Sequence, residues 1–329
     1  MRIYYHLVFS LFSLVSVTSL SIAQKTNPCD QVKELGSVSW YRNYDEALAV
    51  GEKSGKPIFI LFQEVPGCST CQNYGKNVLS NPLLVDIIEN EYVPLAIYNN
   101  KGGDDAKILN KYNESSWNNP VIRVVNANGN DLVTRLSGDY SKAGLAAYIR
   151  TSLTLHKGQL PVYVNLITKE FCIDSRDTKE IYYSMYCFWT GEATLGNIDG
   201  VVSTSPGFMN GKEVVKVSYN PEEVSEQEIT KTAKRNHFTF VNDPSKFRID
   251  RDPQYHLKKS VYKYLPLSPL QRTKINTAIS QRKNPDIYLS PTQLKWKENI
   301  QNNNSSLERS ALYDSPIGKA WKQMIQQAE

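Results

Sequence analysis

Histidine and cysteine are scarce in this 329-residue chain, with four of the former and five of the latter. His6, His156, His237 and His256 are scattered along it, which argues against a histidine-rich metal site. Five cysteines are too few to staple a scaffold of this length. Charge of one sign is lacking too: 38 Lys and Arg against 33 Asp and Glu leave a net +5, small and dispersed, so no nucleic-acid partner is expected. With 40% hydrophobic and 22% charged residues, the composition excludes a disordered chain, a collagen-like chain and a polytopic membrane protein. The length suits two domains plus ends. The thiols are then the most informative residues, and their positions decide the reading.

Residues 1–23 carry one early Arg2, an apolar run from about Leu7 to Leu20, and the small residues Ser21 and Ala23 around Ile22. That is the layout of a cleaved secretory signal. The competing reading, a membrane anchor, is weakened by the serines that dilute the run and by its shortness against about 30 Å of hydrocarbon. No membrane span is expected after cleavage. Export would place the protein in a periplasm or outside the cell, where disulfides persist.

The first domain is expected over residues 36–155. Trp40 to Gly51 has helical spacing, and Ile58-Phe59-Ile60-Leu61-Phe62 reads as a strand covered on both faces. Val65-Pro66-Gly67-Cys68-Ser69-Thr70-Cys71 follows directly, with a helix continuing from Gln72. A first cysteine at a helix N-terminus is favoured as thiolate by unpaired N–H groups and the helix dipole. A second, one turn later, can attack the mixed disulfide that the first makes. Cys68 is therefore the expected attacking thiol and Cys71 the resolving one. The alternatives are a zinc half-site and a structural disulfide. The former wants a second Cys pair or His pair, and neither exists; the latter would close a loop too small to stabilise much. No metal or organic cofactor is expected. A helix from Pro82, a strand over Tyr92–Ile97, a strand over Val121–Val125, and a hairpin at Asn126–Asn130 leading into a strand over Leu132–Leu136 complete this half.

From Ser39 to about Leu153 the sequence resembles the thioredoxin superfamily. The likeness rests on Gly55-Lys56-Pro57, the strand, the Cys-x-x-Cys and the segment Val78–Leu95. It implies that Pro120, after Asn119, is a cis proline facing the dithiol. Val65 to Thr70 looks like a narrower thioredoxin-like group in which Val-Pro-Gly precedes selenocysteine or cysteine, then x-Thr. A departure is Gly67, where a Trp usually stands.

The second domain is expected over residues 160–285. Leu160–Val164 reads as the start of a strand. Ile181–Tyr186 is a strand that delivers Cys187-Phe188-Trp189, and a short helix opens at Thr190-Gly191-Glu192. Val201–Thr204 and Lys212–Pro221 are further strands, and Ser225 with Glu228 forms a capping box for a helix to Asn236. Four stretches, in order, resemble peptide methionine sulfoxide reductase A. They are YCFWTGE with the following GVVSTSPGF, then KEVVKVSYNP, then Asp250-Arg251-Asp252-Pro253-Gln254-Tyr255, then Leu267–Arg272. The resemblance implies a thioredoxin fold followed by a ferredoxin-like α+β sandwich, together an α/β and α+β protein. It implies Cys187 as nucleophile and sulfenic-acid former, Phe188 and Trp189 as the methyl pocket, and Asp250 and Tyr255 as ordering and oxygen-holding groups.

Two family groups are missing. Phe208 stands for a tyrosine, and the segment bearing the acid is absent between Gly211 and Glu213. Glu192 and Glu213 are candidate substitutes; Glu192 reads equally as part of a solvated helix face, and Glu213 as a strand-start carboxylate. Cys172 is either a resolving thiol for Cys187 or an inert one. Residues 286–329 read as a polar tail. The expected function is reduction of peptide methionine-S-sulfoxide at Cys187, with electrons from the Cys68/Cys71 dithiol and an external reductant. The rival is a thiol–disulfide oxidoreductase whose impaired second domain only binds clients.

Overall fold

The computed structural model describes residues 24–117, 120–173, 177–302 and 310–328. The apolar N-terminal segment lies outside the described residues. Among those described, no helix is long and apolar enough to cross a membrane.

The first half runs α1 (Tyr44–Ser54), β1 (Ile58–Gln63), α2 (Ser69–Asn77), α3 (Pro82–Glu91), β2 (Val93–Tyr98), α4 (Asp104–Lys111), β3 (Val121–Val125), β4 (Leu136–Ser137), α5 (Lys142–Lys157) and α6 (Val162–Cys172). The sheet order is β2-β1-β3-β4. β1 is central, parallel to β2 and antiparallel to β3. Its continuous apolar run has the expected cause. Ile58, Ile60 and Phe62 pack with Tyr44, Ala47 and Leu109 on one face. Phe59 and Leu61 pack with α2, α3 and α5 on the other.

Three local expectations need correction. The first helix starts at Tyr44, not Trp40, because Asn43 caps it by accepting from Glu46 N–H, while Tyr41 bridges to Leu95. The strand expected over Leu132–Leu136 shrinks to Leu136–Ser137, paired with Val121 and Ile122. Leu160–Val164 does not open a strand. Pro161 is the N-cap of α6, and Tyr163, Val164, Leu166 and Ile167 are buried. The Tyr163 hydroxyl donates to Glu91. The β-branched residues there suggested a strand, but burial at helical spacing against α5 decides otherwise.

The second half runs β5 (Lys179–Met185), α7 (Phe188–Gly196), β6 (Val201–Met209), β7 (Lys212–Tyr219), α8 (Glu226–Arg235), β8 (Thr239–Phe240), β9 (Arg248–Ile249), α9 (Tyr255–Lys258), α10 (Pro269–Ser280), α11 (Pro291–Asn302) and α12 (Ile317–Ala328). The sheet order is β8-β5-β7-β6-β9. Its first four strands, all antiparallel, have the split β-α-β-β-α-β arrangement of a ferredoxin-like sandwich. α8 carries the expected capping box. Lys274 donates to the carbonyls of Gly196 and Ile198 at 3.0 and 2.9 Å, which caps the end of α7 from α10.

The chain beyond residue 286 is not a tail outside the fold. Trp296 of α11 and Trp321 of α12 are buried edge to face, 4.8 Å apart, in the apolar cluster that includes Leu84, Ile149 and Leu265. Asn90 of α3 donates to Thr292 of α11 at 3.2 Å. The segment is polar because each helix buries only a narrow stripe.

One packing contact sets the floor beneath the dithiol. A short 3-10 turn, Lys33–Leu35, lies across α2 at Gly75. A Cβ there would stand 2.0 Å from the Lys33 carbonyl oxygen. Gly75→Ala would add about 1 kcal/mol of helix propensity, but the clash is with backbone, and such overpacking costs about 1–3 kcal/mol or more. We expect a net loss of about 1–2 kcal/mol, read as a lower urea midpoint. An unchanged or higher midpoint would refute the contact.

Candidate functional site

In each half, a strand delivers a cysteine to the N-cap of the next helix. Cys68 stands at the N-cap of α2 and Cys187 at the N-cap of α7, where the Cys187 side chain makes no cap hydrogen bond.

The Cys68 and Cys71 sulfurs stand 3.7 Å apart. Cys68 is exposed and Cys71 is buried. The main-chain N–H of Cys71 holds the Cys68 thiol below its ordinary range. Burial pushes the Cys71 thiol up to about 12. The two thiols are thus unequal, the exposed one lowered and the buried one raised. The loop around them is tied down. Gly67 N–H donates to Glu34 Oε1 at 2.9 Å, and Gln63 donates to the Glu34 and Cys71 carbonyls. Gly67 has a steric reason: a Cβ there would sit 2.5 Å from the Glu64 carbonyl oxygen and 2.6 Å from Cys71 Cβ. No Trp fits that position without moving the loop. The cis peptide among the described residues is Val65–Pro66. The Asn119–Pro120 bond expected to be cis involves Asn119, outside the described residues. Glu64 escaped the sequence reading, yet its carboxylate and both sulfurs lie within 4.8 Å of one another. No motif marks it; only the tight loop brings it there.

At Cys187 the structure assembles most of the expected residues. Phe188 and Trp189 stack at 5.6 Å, Trp189 lies on Tyr255 at 4.0 Å, and Phe208 closes on Phe188 at 5.2 Å. This aromatic wall is suited to an apolar methyl group. The Tyr255 hydroxyl has no hydrogen-bond partner among the described residues. Glu213 Oε2 accepts from Phe188 N–H at 2.7 Å, so this carboxylate performs the helix capping that Cys187 does not. Asp250 is anchored beside β6, its N–H donating to the Pro206 carbonyl, and its carboxylate accepts from Asp252 N–H at 3.0 Å.

Glu192 is fully buried. Its carboxylate takes the Gln254 N–H at 3.1–3.2 Å, and the Tyr255 N–H also bonds to it. Burial nevertheless pushes its carboxyl up to about 8. It ties α7 to the start of α9 and so positions Tyr255 against Trp189. The surface reading of Glu192 is therefore excluded by its burial.

The missing acid segment has a structural counterpart. β6 and β7 join through Asn210 and Gly211 alone, both at positive φ (50° and 75°), a tight Asn-Gly hairpin turn. A groove of about 530 Å³ opens beside Phe208 and this turn, with Lys246 and Arg248 on its far wall. Cys172 ends α6, where its sulfur lies 3.9 Å from the Ala143 carbonyl of α5. Cys29 is exposed in the N-terminal stretch.

Residues 39–127 match the family model of thioredoxin-like proteins. That range contains Glu64, Cys68 and Cys71. A peptide methionine sulfoxide reductase MsrA of Methanococcus maripaludis is 30% identical to the chain over 78 residues, covering 18% of this chain and 50% of that protein. The chain thus spans about half the length of the curated relative it matches.

Proposed function

We propose that the protein is an exported thiol-redox enzyme that reduces peptide methionine-S-sulfoxide at Cys187, using electrons from the Cys68/Cys71 dithiol. The observation that carries this reading is Cys187 at the N-terminus of α7, beside the wall of Phe188, Trp189, Tyr255 and Phe208. The Cys187 sulfur attacks the sulfoxide sulfur while the Tyr255 hydroxyl holds the oxygen. The S–O bond breaks, methionine leaves, and the oxygen remains on Cys187 as a sulfenic acid. A thiol then condenses with it, releasing water and forming a disulfide, and the Cys68/Cys71 pair reduces that disulfide by exchange. An external reductant restores the pair. The Val-Pro-Gly-Cys-x-Thr run supports placing the first half with the narrower thioredoxin-like group named for that pattern.

The two-residue Asn210–Gly211 turn and the hydroxyl-free Phe208 favour a second reading. In it the dithiol performs disulfide exchange, and the aromatic wall only holds methionine-bearing clients. Losing one preorganised donor costs about 100- to 1000-fold in rate, so the first reading implies a slow enzyme. The test is methionine release from an S-sulfoxide peptide with dithiothreitol as reductant. Release supports the first reading. Its absence, with insulin disulfide reduction intact, leaves the second.

A further inference from the structure

We propose that Glu64, Cys68 and Cys71 form a three-ligand zinc site, which the reduced dithiol fills as an alternative to forming its disulfide. Sequence alone argues against zinc here, since no second Cys pair or His pair exists. The fold supplies what the sequence withheld. The loop from β1 to α2 doubles back at Gly67, bringing the Glu64 carbonyl oxygen and Cys71 Cβ to within 2.6 Å of where a Cβ at Gly67 would stand. The same turn places the Glu64 carboxylate over the dithiol, with its oxygen and both sulfurs within 4.8 Å of one another.

The spacing suits a tetrahedral ion. Two sulfurs at about 2.3 Å from Zn²⁺ and a tetrahedral angle stand about 3.8 Å apart; here they stand 3.7 Å apart. A carboxylate oxygen at about 2.1 Å would lie about 3.6 Å from each sulfur, so Glu64 has only about 1 Å to close. Its side chain is half-buried, and no Lys or Arg pairs with it among the described residues. Cys68 is exposed, leaving the fourth position open to water, the pattern of zinc sites with three protein ligands. Two thiolates exclude the hard cations Ca²⁺ and Mg²⁺, and the carboxylate favours Zn²⁺ over Cu(I).

Loading exchanges two S–H protons, released to solvent, for two Zn–S bonds, and no electron moves. Oxidation instead joins the sulfurs and removes both thiolates. Zinc-loaded and disulfide states are therefore mutually exclusive, and bound zinc holds the dithiol out of disulfide exchange. This inference does not rest on sulfoxide reduction by the second half.

The full chain, reduced and freed of dithiothreitol, is titrated anaerobically with Zn²⁺ against a chromophoric chelator. We expect one ion per chain, with two of the five thiols protected from a disulfide reagent. Cys68→Ser and Cys71→Ser should each weaken binding at least about 100-fold, and Glu64→Gln about 10-fold. Diamide-oxidised protein should bind none. Co²⁺ as a probe should give tetrahedral d–d bands and sulfur-to-cobalt charge transfer in the unmodified protein, whatever the folding of the variants. Absence of stoichiometric binding overturns the proposal. So does binding that survives either cysteine substitution, or an affinity and cobalt spectrum unchanged by Glu64→Gln.

Discussion

Cys187→Ser is expected to lower methionine release from an S-sulfoxide peptide at least about 1000-fold with dithiothreitol, while Cys68→Ser leaves that rate within about twofold. The serine hydroxyl at 187 cannot act as the sulfur nucleophile, and the aromatic wall retains only binding. Dithiothreitol reaches the oxidised Cys187 without the first half, so Cys68 is dispensable in that assay. When a thioredoxin-type protein reductant replaces dithiothreitol, Cys68→Ser should lose at least about 1000-fold, because the electrons must pass its thiolate. Insulin reduction should fall equally with Cys68→Ser. Cys71→Ser should instead trap a mixed disulfide on Cys68, since the resolving sulfur is gone; mass spectrometry of the partner adduct reads this directly. The buried Cys71 thiol, pushed to about 12, and the lowered Cys68 thiol make the roles asymmetric. Equal loss of dithiothreitol-driven turnover in Cys68→Ser and Cys187→Ser would contradict the division of labour. So would insulin reduction that survives Cys68→Ser.

The dithiol and the ferredoxin-like half were legible because local signals and tertiary burial agree there. The β1 run is apolar at every position, and both its faces are covered. Ser225 and Glu228 form the capping box that their spacing announces. The illegible parts share a cause. α6 carries Val162 and Val164 in a helix whose burial against α5 outweighs strand propensity. α11 and α12 read as polar because few of their positions are buried, though Trp296 and Trp321 anchor both to the core. At the sites, Cys187, Phe188, Trp189, Phe208 and Tyr255 follow from the sequence pattern, but the work of the carboxylates does not. Glu213 caps a helix, Glu192 ties two helices together, and Glu64 overlies a dithiol, each through a contact to a residue near or far in sequence that no spacing rule encodes.

Glu192 gives the protein a pH dependence whose sign follows from its burial. Its carboxyl has an ordinary value of 4.5 and is pushed to about 8 in the fold. The folded chain therefore holds this proton over a range where the unfolded chain has released it. The group's stabilising contribution is complete below about pH 4.5 and is lost as pH rises through about 8. The ceiling, at about 1.4 kcal/mol per pH unit, is about 5 kcal/mol. The Gln254 and Tyr255 N–H groups favour the carboxylate and are already counted in that value; part of the change falls below pH 5 and part above pH 8, so we expect a loss of about 2–3 kcal/mol between them. Asp86, pushed by burial to about 6, adds to the slope of the unmodified protein. Glu192→Gln isolates the first contribution, because the amide keeps the shape of the neutral acid and cannot ionise. Relative to the unmodified protein, the variant should be near neutral at pH 5 and more stable at pH 8 by about the same 2–3 kcal/mol, measured by urea unfolding at each pH. A stability difference that stays constant across this range would mean that the N–H groups outweigh burial and that Glu192 is ionised throughout. Because Glu192 holds the start of α9, its ionisation also bears on Tyr255: a carboxylate grips the Gln254 and Tyr255 N–H groups more strongly than a neutral acid does. The pH range that costs the fold stability is thus the range in which Tyr255 is held most firmly against Trp189.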